Sequence, residues 1–213
     1  MPSRDDAMAH IRTAFARTPF PGAPFLVGSR EGSEPDDIAR AFASFTRWDQ
    51  PDAAFLDKHY VALSFLSEGG FRFFLPAYLI ADLQGHLQTA DPVFHLTHGF
   101  SDQSVLLNPR RYGAVTFFDY ARFRFSVFAK EEAQAIVAYL QHQRDGDREG
   151  ITRDEITAAL DAFWLDRAAH APDYDALAVH LVREAEEVAA IQESRPRSLT
   201  QGRSSGRTSL PSL

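Results

Sequence analysis

The chain contains no cysteine among its 213 residues. This absence excludes disulfide bonds, thiolate metal sites, iron–sulfur clusters and cysteine nucleophiles together, and it is in keeping with a reducing compartment. Long apolar runs are also lacking. The longest, residues 73–81, is far shorter than the ~20 residues that a membrane-spanning helix needs, and the first ten residues lack the apolar segment of a signal peptide. We therefore expect a soluble, cytoplasmic protein with no membrane partner.

Lysine is scarce, because Lys58 and Lys130 are the only two in the chain. Arginine therefore carries nearly all the positive charge, and the 22 basic residues are outnumbered by 29 acidic ones, which gives a net charge of −7. Residues 194–213 hold four of the arginines and no acid, so residues 1–193 carry a formal charge of −11. An acidic body disfavours nucleic acid as a partner and favours a protein with a basic surface.

Motifs of several enzyme classes are missing as well. The chain has no G-x-x-x-x-G-K-[ST] phosphate loop and no G-x-G-x-x-G dinucleotide fingerprint. Ser64 and Ser67, the serines of the most apolar region, lack the G-x-S-x-G context of a nucleophile elbow. We therefore predict no catalytic residue and no cofactor.

The chain is organised around residues 60–83, which read YVALSFLSEGGFRFFLPAYLIADL. Two apolar and aromatic runs flank a polar connection, residues 67–70, of a length common in hairpins, and its glycines supply the positive φ of such a turn. Pro76 suits the first turn of a helix that would continue to about residue 88. The rival interpretation is helix on both sides of the glycines, since short apolar runs do not distinguish the two. We predict an α+β domain, predominantly helical, with a short antiparallel hairpin at its centre and helices packed around it.

The same stretch carries a resemblance to a known family. ALSFLS followed by FRFFLPAYLIADL resembles the core signature of a family of small uncharacterised bacterial proteins, a domain of unknown function. FSVFAKEEAQAIVAYL, residues 125–140, resembles the closing helix of that family, although Ala129 and Lys130 stand where the family usually has a Thr-Pro pair. The resemblance covers roughly residues 5–143. It implies no catalytic residues.

Helical periodicity and composition divide the chain into three parts. Residues 1–143 form the helix-rich core domain, with helices predicted at 5–16 and 130–143. The alternation at 121–128 suits a strand, and it also suits the segment that leads into the helix at 130–143. After a charged linker, residues 151–193 form an appended pair of helices, the first of which opens with a capping box at Thr152 and Glu155. Residues 194–213 form a disordered basic tail, because they hold too few apolar residues to offset their chain entropy.

One cluster of residue types suits a metal ion. Asp91, His95, His98 and Asp102 would share one face of a helix, and their oxygens and nitrogens are ligand atoms that zinc accepts. Gly99 interrupts that helix, however, and the spacing matches no recognised ligand motif. The alternative interpretation is a set of exposed polar residues on a segment rich in loops.

The sequence supports three hypotheses for function. The first is a protein–protein interaction or regulatory module without catalysis, because no catalytic set is found and the amphipathic helical pair offers a face to a partner. The alternative is a metal-dependent or hydrolytic enzyme that uses the Asp91, His95, His98 and Asp102 cluster. A weaker third is a nucleic-acid binder, which requires Arg72, Arg122 and Arg124 to lie together on an exposed face.

Overall fold

The computed structural model describes residues 3–28 and 32–179, and within them the regular secondary structure is helical, with no β-strand. The α+β class and the central hairpin predicted from the sequence are therefore wrong. A 3₁₀ turn, Ala23–Phe25, precedes the second helix, and a π-helical segment, Leu160–Trp164, joins the last two. The helices are α1 (Arg4–Ala14), α2 (Glu34–Phe42), α3 (Ala53–Lys58), α4 (Ala62–Phe65), α5 (Glu68–Leu83), α6 (Pro92–Thr97), α7 (Pro109–Tyr112), α8 (Phe117–Phe125), α9 (Lys130–Gly146), α10 (Arg153–Ala159) and α11 (Leu165–His170).

The glycines of the expected hairpin turn lie instead in the first turn of α5. Ser67 is the N-cap of this helix, and its hydroxyl accepts a hydrogen bond of 3.0 Å from the Gly70 amide. The chain segment at Leu26 crosses here, and the Ser67 amide donates to the Leu26 carbonyl at 2.9 Å. A Cβ atom on Gly70 would lie only 2.4 Å from that carbonyl oxygen. Gly70 therefore permits a close approach of two backbones and does not form a turn.

Helix α5 forms the centre of the core. Apolar residues occupy all its sides and nearly the whole helix is buried, so its hydrophobic pattern shows no single stripe. Pro76 lies inside the helix, where it provides no backbone N–H donor. In a sequence, a helix that is buried on every side shows the same continuous apolar run as a buried strand. This explains why the sequence predicted a hairpin here.

Residues 121–128 do not form a strand either. Thr116 caps α8: its hydroxyl accepts from the Asp119 amide at 3.0 Å, and its own amide donates to the Asp119 carboxylate at 3.1 Å. Phe125 is buried, while Phe123 is 66% exposed. The two rings would share one side of a strand, and the helical twist separates them.

Other helices pack against α5 on several sides. Helix α5 contacts α1, α3 and α6, while α9 contacts α1 and α11. Phe125 and Phe128 pack on Trp164, with ring centroids 5.0 Å and 5.8 Å away. No helix in the described part of the chain is long and apolar enough to cross a bilayer.

The domain division expected near residues 143–151 stays a prediction. A compact unit ends at Tyr174, and within it α10 contacts α6 and α9. The predicted capping box at Thr152 is wrong, because the Thr152 side chain makes no cap hydrogen bond and instead donates to Asp147. Residues 180–193 of the second predicted helix and the predicted tail, residues 194–213, lie outside the described residues.

Candidate functional site

Helix α6 is a short helix with strong signals at both ends. The Asp91 carboxylate accepts a hydrogen bond of 2.9 Å from the Phe94 amide, and Pro92 occupies the first turn. Gly99 follows the helix with a φ of +95°. Leu96 is buried, and its carbonyl accepts a hydrogen bond of 2.9 Å from the Trp164 indole N–H. One side of α6 is thus anchored in the core.

The other side carries aromatic rings at the surface. Phe94 is 48% exposed and its ring centroid lies 4.9 Å from that of His98. His98 in turn packs against Phe117, at 5.0 Å and an interplanar angle of 72°. Tyr120 lies one turn further along α8 and is 37% exposed. We refer to Phe94, His98, Phe117 and Tyr120 as the aromatic surface.

Backbone contact between α6 and α8 holds the aromatic surface in place. A Cβ atom on Gly99 would lie 2.8 Å from the Phe117 carbonyl oxygen, so only glycine allows this approach without a shift. The loop that follows returns to the same point, because the Phe117 amide donates to the Val105 carbonyl at 3.0 Å. Val105 is 45% exposed and extends the apolar area beside Phe117.

Arg124 is half-buried and follows Tyr120 by one turn of α8. Its guanidinium carbon is 4.4 Å from the Phe71 ring centroid, and its Nη2 donates to the Leu63 carbonyl. Its Nε is buried and has no hydrogen-bond partner within the described residues. Burial lowers the pKa of Arg124, against the influence of Tyr120 and Glu68, which raise it. Arg124 therefore places a positive charge next to Tyr120 on α8.

His95 is a neutral imidazole at physiological pH. Burial lowers its pKa to about 4, and the positive charge of Arg124 and the neighbouring His98 act in the same direction. Its ring centroid lies 5.4 Å from that of Phe94. His95 therefore contributes a ring without charge beside the aromatic surface.

The structure places the four residues of the predicted metal cluster in different local settings. Helix α6 ends at Thr97, so one helix face does not connect all four. Asp91 caps α6, while Asp102 accepts from the amide and hydroxyl of Ser104 at 2.9 Å and 2.6 Å. Within residues 3–28 and 32–179, no group of three or more His, Asp or Glu side chains is arranged to hold a metal ion. Metal binding by Asp91, His95, His98 and Asp102 stays a prediction.

The arrangement that the nucleic-acid hypothesis requires is not found. Arg72 is 5% exposed and donates through Nε to the Glu132 carboxylate at 2.8 Å. The Arg122 guanidinium lies over the Phe118 ring, 5.5 Å from its centroid. Since Arg72 is enclosed in the core, the three arginines do not form one exposed basic face.

Sequence reasoning missed Phe94, Phe117 and Tyr120 as site residues. A signal for two of them was present, because Thr116 and Asp119 have the spacing of a capping box. A helix that begins at Phe117 places Tyr120 and Arg124 on the same side, three and seven residues later. The strand interpretation of residues 121–128 hid this face.

Comparison with known proteins identifies the family. A model of the family of unknown function DUF6714 matches residues 3–168. No curated protein matches the chain, and neither does any solved structure. This match confirms the resemblance to a family of unknown function. The chain belongs to the family of unknown function DUF6714.

Proposed function

We propose that this protein is a protein–protein interaction module without catalysis, which docks a partner on the aromatic surface. The observation that supports the proposal is the exposure of neighbouring aromatic rings: Phe94 packs on His98 and is 48% exposed, and Tyr120, one turn along α8 from Phe117, is 37% exposed. Aromatic residues are enriched in the buried centres of interfaces, where a few of them supply most of the binding free energy. Grouped and ordered exposed rings are typical of a docking surface.

The charge of the chain favours a basic partner. Residues 1–193 carry a formal charge of −11. Hydrogen bonds from Thr116 lower the pKa of Asp119, which lies between Phe117 and Tyr120 on α8, and hydrogen bonds from Ser104 lower the pKa of Asp102 in the loop after α6. Both carboxylates are therefore ionised at physiological pH, and they would attract lysine and arginine side chains around an apolar centre. We place this regulatory or adaptor role in a bacterial cytoplasm, which the absence of cysteine supports.

Site-specific photo-crosslinking tests the proposal. The photoreactive residue p-benzoylphenylalanine replaces Phe94 in the full chain, and the protein is irradiated in an extract of its source cells. The matched control carries the same replacement at Phe25, which is 68% exposed and lies outside the aromatic surface. We expect position 94 to form one discrete adduct that position 25 does not form.

Competition decides whether that adduct reports a specific interface. Excess unlabelled wild-type protein should suppress it, whereas a Phe94→Ser, Tyr120→Ser double variant should not. Raising the salt concentration should weaken it if the partner is basic. Equal adducts at positions 25 and 94, or equal competition by the double variant, would contradict the docking role of the aromatic surface.

The alternative function, a metal-dependent or hydrolytic enzyme, has one observation in its favour. Metal ions bind imidazole in its neutral form, and His95 is neutral because its pKa is lowered to about 4. Mass spectrometry of metal content tests it on untagged protein, with His95→Ala and His98→Ala as variants. Stoichiometric zinc that both variants lose supports the enzyme, and metal-free wild type after zinc loading contradicts it.

A further inference from the structure

A cleft lies between the end of α1, the segment after α2 and one side of α5. Its volume is about 460 Å³, within the range of small-molecule sites in proteins. It shares no residue with the aromatic surface. Its lining combines aromatic rings with arginines and consists of Arg12, Ala16, Thr18, Phe20, Thr46, Arg47, Trp48, Asp49 and Phe73.

The aromatic walls of the cleft are held in fixed orientations. The Trp48 indole N–H donates a hydrogen bond of 3.1 Å to the Phe15 carbonyl, which locks a half-buried ring. Phe20 packs edge-on against the buried Phe73, with centroids 5.2 Å apart and an interplanar angle of 61°. Such ordered rings suit a flat apolar group, which would stack on them with little loss of side-chain entropy.

The polar part of the lining is fixed from the core. The Thr18 hydroxyl, on a residue 7% exposed, donates to Glu132 Oε1 at 2.6 Å. The Glu132 carboxylate is fully buried and also accepts from Arg72 Nε and from the Ala129 amide, at 2.8 Å each from Oε2. Thr18 is therefore part of a preorganised network, and it cannot turn its proton toward a ligand without breaking that network.

The rim of the cleft carries excess positive charge. Arg47 holds Asp49 in a two-point ion pair, Nε to Oδ1 at 3.0 Å and Nη2 to Oδ2 at 2.6 Å. Arg12 is exposed in the last turn of α1 and forms no ion pair with a carboxylate among the described residues, although Asp49 is within its electrostatic reach. Two guanidinium groups and one carboxylate leave one unit of positive charge in a body that is otherwise acidic. Arg12 is the group available for an anion.

We infer that this cleft binds a small aromatic anion, with the ring between Trp48 and Phe20 and a carboxylate or phosphate group on Arg12. The ring matches the ordered apolar walls, and the anionic group matches the unpaired charge at the rim. Neither the apolar walls nor the positive charge alone indicates an aromatic anion as the ligand. The two together in one cleft of about 460 Å³ do indicate it.

NMR of the full chain tests the inference directly. The protein has two tryptophans, Trp48 and the buried Trp164, so its ¹⁵N–¹H spectrum has two indole signals, which a Trp48→Phe variant assigns. The probes are benzoate and phenyl phosphate. Benzyl alcohol is the control that has a ring but no charge, and inorganic phosphate is the control that has charge but no ring. We expect a saturable shift of the Trp48 signal with the two aromatic anions. The two control compounds should bind at least about tenfold more weakly.

Variants of the residues at the rim of the cleft test which positive charge binds the anion. Arg12→Gln should weaken benzoate binding about tenfold, and Asp49→Asn should strengthen it, because Arg47 is then released from its ion pair. Arg4→Gln removes the same charge from the other end of α1 and should leave binding unchanged. An unshifted Trp48 signal with both anions overturns the inference. So does equal binding of benzyl alcohol, or equal loss in Arg4→Gln and Arg12→Gln.

Discussion

Arg72 of α5 and Glu132 of α9 form an ion pair inside the core, with Arg72 Nε 2.8 Å from Oε2 and 3.0 Å from Oε1 of the carboxylate. Their side chains are 6% and 0% exposed. Thr18 and the Ala129 amide donate to the same carboxylate, so its lone pairs are well satisfied. The pair ties the central helix to the first turn of α9, 60 residues later in the chain.

Removing one partner of this pair should destabilise the protein strongly. Glu132→Gln or Arg72→Met leaves an uncompensated charge or donor in the core, which typically costs about 3–5 kcal/mol of the free energy of unfolding. Urea denaturation measures the loss. The matched control is Arg40→Gln, which breaks the exposed pair with Asp37 and should change stability by less than about 1 kcal/mol. Equal effects at the two sites would contradict the structural role of the buried pair.

Gly70 and Gly69 should respond differently to alanine. Gly70→Ala places a Cβ 2.4 Å from the Leu26 carbonyl oxygen, and overpacking of this kind costs about 1–3 kcal/mol. At Gly69 the nearest atom is a Pro21 side-chain carbon at 3.2 Å, and the gain in helix propensity, up to about 1 kcal/mol, offsets the tighter contact. Thermal unfolding of both variants measures the difference. Equal destabilisation would argue against a helical first turn at these glycines.

Asp82 should make stability depend on pH. It accepts a hydrogen bond of 2.6 Å from Tyr139, and burial nevertheless raises the pKa of its carboxyl above the ordinary 3.8. The folded state thus holds the proton more tightly than the unfolded state. The contribution of Asp82 to stability is fully present below pH 3.8 and is lost as the pH rises through the folded-state pKa. The free energy of unfolding of the wild type minus that of Asp82→Asn should therefore fall as the pH rises from 3.8 through the folded-state pKa. A difference that stays constant with pH would contradict this role of Asp82.

His95 should show the opposite dependence. Because its pKa is lowered from 6.5 to about 4, the unfolded state binds the proton first, and stability is lost as the pH falls from 6.5 toward 4. A His95→Gln variant should lose less stability than the wild type between those pH values. Titration of the imidazole by NMR checks the cause directly. A midpoint near 6.5 in the folded protein would rule out this account of His95.

Local signals in the sequence located several helices well. The prediction of a helix at 5–16 is confirmed by α1 (Arg4–Ala14), where Ser3 and Asp6 form a capping box. The helix expected at 130–143 is confirmed by α9, which extends to Gly146. Caps and amphipathic stripes are local features, so their effect does not depend on the rest of the chain.

The aromatic surface, in contrast, is an outcome of the tertiary structure. Phe94 and Phe117 are 23 residues apart, and their shared contact with His98 exists because Gly99 admits the backbone of α8. Asp91 and Asp102 flank the same histidine pair in the sequence, but each carboxylate is engaged by local donors. The spacing of these four residues predicted that they share one helix face, but the helix ends at Thr97.

The sequence by itself determined the family, the helical character of most of the chain and its acidic charge, because each depends on residue type and local order. Only the tertiary structure decided the state of residues 60–83. A run that is apolar on every side has no period to distinguish helix from strand, so its conformation depends on what covers it. Here α1, α3 and α6 enclose α5, and the Leu26 carbonyl requires a glycine at position 70. The helix is stable because the surrounding helices remove all its faces from water.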